Sequence, residues 1–479
     1  MNEQNLDRAR ALSHFTPYDR AAVHARLHKA LQRLCRKVVV LDDDPTGIQT
    51  VHDVYVYTDW RPESVRAGFE AQEPIFFILT NSRGLGEAQT RRAHREIAQS
   101  VAQAARETKQ DFVLISRSDS TLRGHYPLET QVLREELERL TDQTYDGEII
   151  LPFFLEGGRY TVDDVHYVQV GTQLVPAGET EFAQDKTFGY RSSNLCEWIE
   201  EKTEGAYTAE DVVSISLDEL RCCDYAAITH KLSNVQGFGK VIVNAVDYPD
   251  VEVFVTALID AMNAGKRFLF RSAAALTKVI GGVEDKELLT RDALVNTRNK
   301  NGGLIIVGSH VRKTTQQLAA LRDADFIDFV EFNQHLVVDP AAFEREQLRV
   351  VQAVQACIRA GRTVAVYTRR ERFDLGTGNR EEELRLSMKI SKAVTGIVEA
   401  LTVRPNFIIA KGGITSSDIG TQGLHVRRAR VMGQILKGIP VWMIGPDSKF
   451  PDMPYVIFPG NVGDEKALLE AARKMQPGR

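Results

Sequence analysis

The sequence predicts an α/β protein made of two α/β domains, each with a mainly parallel sheet. Two observations predict this fold class. Continuous aliphatic runs such as KVVVLD at 37–42 and DFVLISR at 111–117 indicate strands that are buried on both faces. Amphipathic stretches such as GEAQTRRAHREIAQSVAQAARE at 86–107 lie between such runs and indicate helices that cover the sheet.

The strand candidates fall into two series, and a chain of 479 residues is too long for one compact core. In the first series, runs at 74–82, 147–154 and 240–247 join the two above, and VHYVQVGTQLVPAGE at 165–179 indicates a hairpin. The second series begins near Gly302, after a polar stretch at 289–303 that suits a linker. We therefore expect a helical extension at 1–36, a first α/β domain at 37–288 and a second at 300–479.

Composition narrows the class of protein. Charged residues make up 26% and the net charge is -5, which gives no reason to expect nucleic acid or an acidic membrane as partner. Five scattered cysteines without a CxxC pair favour a reducing compartment. The first fifteen residues lack the apolar core of a signal peptide, and no apolar run approaches the roughly 18 residues of a spanning helix. These features predict a cytoplasmic protein, and a homodimer is the commonest assembly to expect.

Polar residues follow successive strands of the first series. In open α/β sheets, ligands bind beyond the carboxyl ends of the strands. Hydroxyls, carboxylates, an amide and arginines together suit a small polyhydroxylated anion, since arginine binds carboxylates bidentately. The candidate residues are Asp43, Asp44, Asn81, Arg83, Asp119, Ser120, Thr121, Arg123 and Arg159.

Each of these segments also has a simpler interpretation. Asp-Pro-Thr-Gly at 44–47 is turn chemistry in its own right. Residues 118–121 suit the cap of the following helix, and the arginines suit a charged surface. His125 and His166 are better explained as structural histidines than as metal ligands.

The second series carries glycines and hydroxyls after its strands. Glycines let backbone amides approach a phosphate, which predicts a nucleotide site, although each pair alone also suits a turn. There is neither a GxxxxGK[ST] loop nor a GxGxxG after a strand. Lys411 suits either a phosphate contact or a surface position. The candidates are Ser309, Lys411, Gly412, Gly413, Ile414, Thr415, Ser416, Gly460 and Asn461.

Five motifs taken together resemble one known family. LDDDPTG, SDSTLRG, a late GSH with T and Q following, KGGITSSD and FPGNVG resemble the four-carbon acid sugar kinase family, in that family's order from about residue 37 to the C-terminus. The resemblance implies an ATP- and Mg²⁺-dependent kinase that phosphorylates a hydroxyl of a threonate, erythronate or 3-oxo-tetronate type acid. It also implies a sugar-acid-binding N-terminal domain, a nucleotide-binding C-terminal domain and an active site in the cleft between them.

The resemblance assigns roles to particular residues. Asp43 or Asp44 is expected to accept the proton of the attacking hydroxyl, and Arg123 to hold the sugar carboxylate, with Arg83, Arg117 or Arg159 as further candidates. The run at 119–123 is expected to contact the sugar acid, and Ser309, 412–416 and Gly460 the nucleotide. The chain departs from the family pattern at Pro45, 116–118 and Ile414.

Three alternatives remain open at this stage. The first is a kinase for a branched acid such as a 3-oxo-isoapionate, because related acids differ by one oxidation or one stereocentre. The second is a binding protein for nucleotide or sugar acid without catalysis, against which the intact acids at 42–44 and Arg123 count. The third is an oxidoreductase or isomerase, against which the missing dinucleotide motif counts.

Overall fold

A computed structural model describes residues 5–13, 15–296, 298–371, 380–460 and 462–476. It divides into two compact units. The first comprises the chain up to Val51 together with Asp59–Glu284, and the second comprises His52–Thr58 together with the chain from Asp285. Both units are α/β, which confirms the predicted fold class.

The first unit contains a parallel sheet whose strands are short and almost entirely buried. In spatial order the strands are Val213–Ile215, Gly239–Val243, Gly147–Leu151, Phe268–Ser272, Asp111–Arg117, Arg36–Asp42 and Ile75–Leu79. Every residue of Ile75–Leu79 is buried. Because successive side chains point to opposite faces, the sheet must be covered on both sides, as the aliphatic runs predict.

Helices of the first unit pack in two groups, one around Glu87–Thr108 and one around Tyr248–Asn263. The first group also contains Pro62–Glu70 and Leu128–Leu140. The second contains Arg20–Leu31, Leu217–Arg221, Tyr225–Asn234 and Ala274–Ile280. The remaining α-helices are Arg8–Leu12 and Leu195–Lys202, and 3₁₀ turns lie at Ser82–Gly84, Ala177–Glu179 and Ala209–Asp211.

A small antiparallel sheet completes the first unit. Its strands are, in spatial order, Leu6–Asp7, Gln173–Pro176, Val165–Val170 and Arg159–Val162. The predicted hairpin at 165–179 is therefore present. The N-terminal region also contributes the helix Arg20–Leu31, which buries Val23, Leu27 and Ala30.

The second unit has a mixed sheet. Its strands are, in spatial order, Val54–Tyr57, Arg428–Leu436, Ile439–Ile444, Pro454–Phe458, Ile408–Lys411, Leu304–Val307, Thr363–Thr368 and Ile327–Phe332. Neighbours among the first four strands pair antiparallel, and neighbours among the last five pair parallel.

Helices of the second unit are Arg291–Leu294, Arg312–Leu321, Pro340–Arg359, Arg380–Glu399, Gly413–Asp418 and Ala467–Met475, with a 3₁₀ turn at Gln334–Val338 and a π turn at Ile419–Gly423. The stretch 289–303, which suits a linker by sequence, lies in this unit, where Leu289 and Leu294 are buried in its core. None of the described helices is both long and apolar enough to cross a membrane. All five cysteines are free.

Candidate functional site

The strand Arg36–Asp42 delivers consecutive acids to one edge of the first unit's sheet. In register, Asp42 lies opposite Leu79 on one neighbouring strand and Arg117 on the other. The Asp43 amide then donates to the Arg117 carbonyl at 3.2 Å. The acids and Arg117 therefore lie side by side, because parallel strands end at a common edge.

Two of these acids share one buried arginine. The exposed fraction is 0% for Asp42, 4% for Asp43 and 7% for Arg117. Arg117 Nη1 lies 3.1 Å from Asp42 Oδ1 and 3.6 Å from Asp43 Oδ1. Burial raises the pKa of Asp42 to about 7 and also raises the pKa of Asp43, although Arg117 opposes both shifts.

Each buried acid keeps one oxygen without a hydrogen-bond partner among the described residues. These atoms are Asp42 Oδ2 and Asp43 Oδ1. The other Asp43 oxygen accepts from Ser118 Oγ at 3.1 Å. A buried acceptor with no partner costs free energy, so this edge of the sheet is suited to receive a donor from a ligand.

The turn that follows has a fixed shape. The Gly47 amide donates to the Asp44 carbonyl at 2.9 Å, and the Thr46 amide donates to Asp44 Oδ1 at 2.8 Å. A Cβ at Gly47 would lie 2.1 Å from Asp42 Oδ1 and 2.4 Å from Arg117 Nη1, so only glycine fits beside the buried pair. Residues 44–47 therefore form the turn that their sequence suggests, and this turn also holds Asp42 and Asp44 in place.

Asp44 is engaged differently from Asp43. One carboxylate oxygen contacts Arg83 and the other accepts from Thr46 Oγ1 at 2.5 Å. Burial acts to raise the pKa of Asp44, but the Arg83 charge and the Thr46 hydrogen bonds outweigh it and hold that pKa below its ordinary value. Asp44 therefore stays ionised and fully paired.

An alternating row of charges extends from Asp44. Arg83 Nη1 lies 3.2 Å from Asp119, Arg123 Nε lies 2.8 Å from the other oxygen of Asp119, and Arg123 Nη1 lies 3.7 Å from Asp185. Thr121 also donates to Asp119. Although burial opposes the shift, the two arginines hold the pKa of Asp119 well below its usual range. The structure thus brings Asp44, Arg83, Asp119 and Arg123 together.

Residues 118–121 do not cap the helix that follows. That helix begins at Leu128, its N-cap residue is Pro127, and no side chain caps it. Ser118 contacts Asp43 and Thr121 contacts Asp119 instead. The capping interpretation of this run is therefore wrong, since its hydroxyls bind the acids.

Arg159 differs from Arg83, Arg117 and Arg123 in having no ion pair among the described residues. Its guanidinium donates to the Gly157 carbonyl, and its buried Nε has no partner in that part of the chain. Its Cζ lies 5.6 Å from the ring centre of Phe182, and that of Arg123 lies 5.0 Å from the same centre. Burial lowers the pKa of Arg159. Arg159 is thus a half-buried cation suited to an anionic ligand.

The structure also places the other predicted residues of the first unit, Asn81 and Ser120, and the two histidines. Asn81 adopts a left-handed conformation (φ 52°) at the end of Ile75–Leu79, directly before Ser82–Gly84. Ser120 is buried, and its carbonyl accepts from His166 Nε2 at 2.8 Å. His125 Nε2 lies 2.9 Å from the Leu85 carbonyl, so both histidines have protein partners.

Arg271 joins the same edge, and sequence reasoning missed it. It lies in the strand Phe268–Ser272, is 4% exposed, and donates from Nη2 to the Arg123 carbonyl at 2.8 Å. Its Nε has no partner among the described residues, and burial lowers its pKa. The run FLF before Arg271 was the available signal for a short buried strand.

In the second unit, the predicted glycines surround one pocket of about 380 Å³. Val307 is paired with Lys411 on one side and Tyr367 on the other, and Lys411 is also paired with Phe458. The loops after these strands therefore meet at one edge. Of the predicted residues, those that line the pocket are Ser309, Gly412, Gly413, Ile414, Thr415 and Gly460.

Close packing explains two of the glycines. A Cβ at Gly308 would lie 2.7 Å from Thr415 Oγ1. Gly412 has φ 120°, and a Cβ there would lie 3.3 Å from both Ser309 Cβ and Thr415 Oγ1. Any side chain at these positions would fill or distort the pocket.

Two predicted residues lie behind the pocket rather than in its lining. Lys411 is 0% exposed, and its Nζ donates to the carbonyls of Pro459 at 2.5 Å and Gly460 at 3.1 Å. Burial, with a smaller effect from Lys313, lowers the pKa of Lys411 to about 7. The Ser416 hydroxyl contacts the Gly412 carbonyl at 2.7 Å. Asn461 lies outside the described residues.

Other elements complete the pocket, and local sequence gave no sign of them. Val311 (44% exposed) and Ile414 (77% exposed) are apolar side chains among its lining. The lining residues that sequence reasoning did not bring forward are Val311, Gln334, Thr368, Ser387, Ile390, Ser391, Val394 and Thr395.

Comparison with known proteins assigns the two parts of the chain. A family described as a sugar-binding N-terminal domain matches residues 38–280, and a family described as a nucleotide-binding C-terminal domain matches residues 304–468. The chain belongs to the four-carbon acid sugar kinase family. Its first unit therefore carries the family's sugar-binding domain and its second unit the nucleotide-binding domain.

Solved structures share the fold of this family member. The Haemophilus influenzae protein HI1011, of the family DUF1537, is 17% identical, covers 91% of this chain and 99% of its own, and has a TM-score of 0.62. A Salmonella typhimurium LT2 protein, proposed as a tRNA synthase, is 16% identical, covers 92% and 100%, and has a TM-score of 0.64. No curated protein matches the chain by sequence.

Proposed function

We propose that this family member is an ATP-dependent kinase that phosphorylates a hydroxyl of a four-carbon acid sugar, of the threonate, erythronate or 3-oxo-tetronate type. One observation carries the proposal. The sugar-binding domain holds a buried carboxylate, Asp43, with one oxygen that has no hydrogen-bond partner among the described residues, and a half-buried arginine without an ion pair among them, Arg159. Such a set suits an acceptor hydroxyl and a carboxylate on one small molecule.

Arg159 is the proposed partner of the sugar carboxylate. Arg83 and Arg123 already pair with Asp119, whereas the hydrogen bond of Arg159 among the described residues goes to an uncharged carbonyl oxygen. A charge-assisted bond to a carboxylate stabilises a partly buried guanidinium that has no ion pair. Arg123, which lies beside the same Phe182 ring, is the proposed second contact.

Asp43 is the proposed proton acceptor, and Asp44 the residue that orients the site. A carboxylate with a raised pKa takes a proton more readily, and no hydrogen bond to Asp43 Oδ1 from the described residues would have to be displaced. Asp44 has the opposite character, because Arg83 and Thr46 occupy both of its oxygens. In phosphoryl transfer the protein mainly positions the two substrates and balances charge.

ATP is the proposed phosphoryl donor, bound in the pocket of the nucleotide-binding domain. Glycines at 308, 412 and 460 keep this part of the lining free of side chains, so phosphate oxygens can approach the backbone, while Val311 and Ile414 supply apolar surface for the base. No carboxylate is among the described lining residues. A Mg²⁺ ion there would be held mainly by the phosphates and water, and it would neutralise phosphate charge.

The test is ADP production by the purified chain with ATP and Mg²⁺ across a panel of acids. The panel contains threonate, erythronate, their 3-oxo forms and the branched 3-oxo-isoapionate. We expect acid-dependent ADP release with one of these acids, and release slower by about 10²-fold or more with the Asp43→Asn variant. ATP binding without acid-dependent ADP release from any of them would contradict a tetronate-type kinase and favour a non-catalytic binding protein.

A further inference from the structure

Two histidines and a glutamate converge at a place on the first unit that takes no part in the site above. His24 and His28 are one helical turn apart on Arg20–Leu31, and Glu284 is the last residue of this unit. His28 Nε2 lies 2.8 Å and His24 Nε2 3.4 Å from Glu284 Oε1, while the two Nε2 atoms are 3.2 Å apart. Three ligand-type atoms thus face one point.

These separations match those around a tetrahedral metal ion. Ligand atoms that bind one Zn²⁺ at about 2.0–2.1 Å lie roughly 3.3 Å from each other. The His24–His28 and His24–Glu284 separations, at 3.2 and 3.4 Å, agree with that value, and the 2.8 Å separation requires only a small adjustment of an exposed carboxylate. The spacing i, i+4 on a helix is a usual one for two histidine ligands.

Protons alone satisfy this arrangement poorly. If both Nε2 atoms carry a proton, two donors face each other at 3.2 Å. If only one of the two Nε2 atoms carries a proton, that single N–H must donate both to the other histidine ring and to the Glu284 carboxylate. One divalent cation would accept a lone pair from each of the three atoms at once.

The second ring nitrogen of His24 supports the same assignment. His24 Nδ1 lies 3.5 Å from Glu252 Oε1, a residue of the helix Tyr248–Asn263. A metal-binding histidine usually directs its other N–H to a carboxylate, which fixes the tautomer and leaves Nε2 free to bind the metal. Glu252 is in the position for that role.

The supporting helix is well fixed. It buries Val23 and Leu27, and the preceding Tyr18 hydroxyl donates to Asp250 at 2.8 Å. The side chains of His24, His28 and Glu284 are 43%, 51% and 55% exposed, so an ion from solvent can reach them. A rigid base with accessible ligands is what a preorganised surface metal site requires.

We propose that His24, His28 and Glu284 form a binding site for a Zn²⁺-type divalent transition-metal ion, with water completing the coordination. Two imidazole nitrogens and one carboxylate oxygen suit Zn²⁺, Ni²⁺ or Co²⁺ better than Mg²⁺ or Ca²⁺, which prefer oxygen ligands alone. The ion would fasten the N-terminal helix to the end of the first unit. This site is separate from the proposed kinase chemistry and does not depend on it.

The test uses the full-length chain without a polyhistidine tag, titrated with ZnCl₂ in competition with a chromogenic chelator, with Tm measured in parallel. We expect one Zn²⁺ per chain and a higher Tm. His28→Gln and Glu284→Gln should each weaken Zn²⁺ binding by about tenfold or more and remove the Tm increase. Mg²⁺ should have no such effect.

His230→Gln is the matched control, since His230 is an exposed histidine on another helix of this unit. It should bind Zn²⁺ as the unchanged chain does. The Tm of each variant without metal verifies that it folds, which is expected because the substituted side chains are exposed. Absence of one-to-one Zn²⁺ binding, or equal affinity in His28→Gln, which would place the ion on other residues such as the free cysteines, would overturn the proposal.

Discussion

Arg117 donates a 3.1 Å hydrogen bond to Asp42, and both side chains are almost completely buried. Removing one partner of a buried ion pair leaves an uncompensated charge, which costs about 3–5 kcal/mol. We therefore expect Arg117→Met to lower the free energy of unfolding by about that amount, measured by urea denaturation. Arg92→Met removes an exposed arginine that pairs with Glu96 on a helix surface, and it should change stability little. Equal effects of the two variants would show that burial does not govern the Arg117 pair.

The proposed roles of Asp43 and Asp44 lead to different kinetics. Asp43→Asn should lower kcat by about 10²-fold or more, because the hydroxyl proton loses its acceptor, while KM for ATP stays within a few-fold. Asp44→Asn removes a charge that holds Arg83, so we expect a smaller loss of kcat with a higher KM for the acid. Steady-state kinetics of both variants measure this. A fully active Asp43→Asn with an inactive Asp44→Asn would transfer the base role to Asp44.

The pKa shifts predict the acid side of the rate profile. Burial raises the pKa of Asp43, so its unprotonated form, which is the active one for a base, is lost as the pH falls through that raised pKa. We expect kcat/KM for the sugar acid to fall at a higher pH than the ordinary 3.8 of an aspartate would give. In Asp43→Asn the residual activity should lack this limb.

Arg159→Met tests the carboxylate contact. A hydrogen bond to a charged group contributes about 1.5–3 kcal/mol, so KM for the acid should rise about 10- to 100-fold with little change in KM for ATP. Arg191, whose side chain is 89% exposed, provides the control variant Arg191→Met, which should behave as the unchanged enzyme. If Arg159→Met and the control gave the same KM for the acid, the carboxylate would have to bind elsewhere.

Local sequence predicted the positions of many strands, but it could not predict which strands pair with each other. Asp111–Arg117 matches its predicted range because its aliphatic run is continuous and long. Phe268–Ser272 and Val54–Tyr57 were missed, although Leu304–Val307 and Ile75–Leu79, which are equally short, lie in predicted runs. Val54–Tyr57 pairs with Arg428–Leu436, far along the chain, and local pattern cannot indicate so distant a partner.

The same limit applies to the site. The sequence brought Asp43, Asp44 and Arg159 forward as candidates. It could not show that Asp44 is paired with Arg83, while one oxygen of Asp43 has no hydrogen-bond partner among the described residues. The partners of each aspartate depend on how the neighbouring strands are paired in register, and local sequence does not determine that pairing. Lys411 is a second example. Its position before two glycines suits a phosphate contact, but its amine donates instead to the backbone carbonyls of Pro459 and Gly460.

Two glycines of the pocket should respond differently to alanine. Gly412 has φ 120° and close neighbours, so Gly412→Ala forces a strained backbone and should weaken ATP binding by about tenfold or more. Gly460 also lines the pocket, but a Cβ there would meet nothing within 4 Å, so Gly460→Ala should bind ATP nearly as well. Calorimetric titration with ATP measures both. Equal losses would indicate that side-chain bulk rather than backbone geometry governs binding.

Lys411 should make stability depend on pH in the alkaline range. Burial lowers its pKa in the folded chain to about 7, against 10.5 when exposed. Between these values the unfolded chain holds a proton that the folded chain lacks, so the free energy of unfolding should rise with pH in that window. The difference in stability between the unchanged chain and Lys411→Met should therefore increase from pH 7 to pH 10 and be constant below pH 7.

Urea denaturation of both chains at several pH values measures this difference. The exposed Lys437→Met variant controls for the loss of one positive charge. A difference that falls with increasing pH would mean that Lys411 is stabilised as a cation, with its two carbonyl contacts outweighing burial.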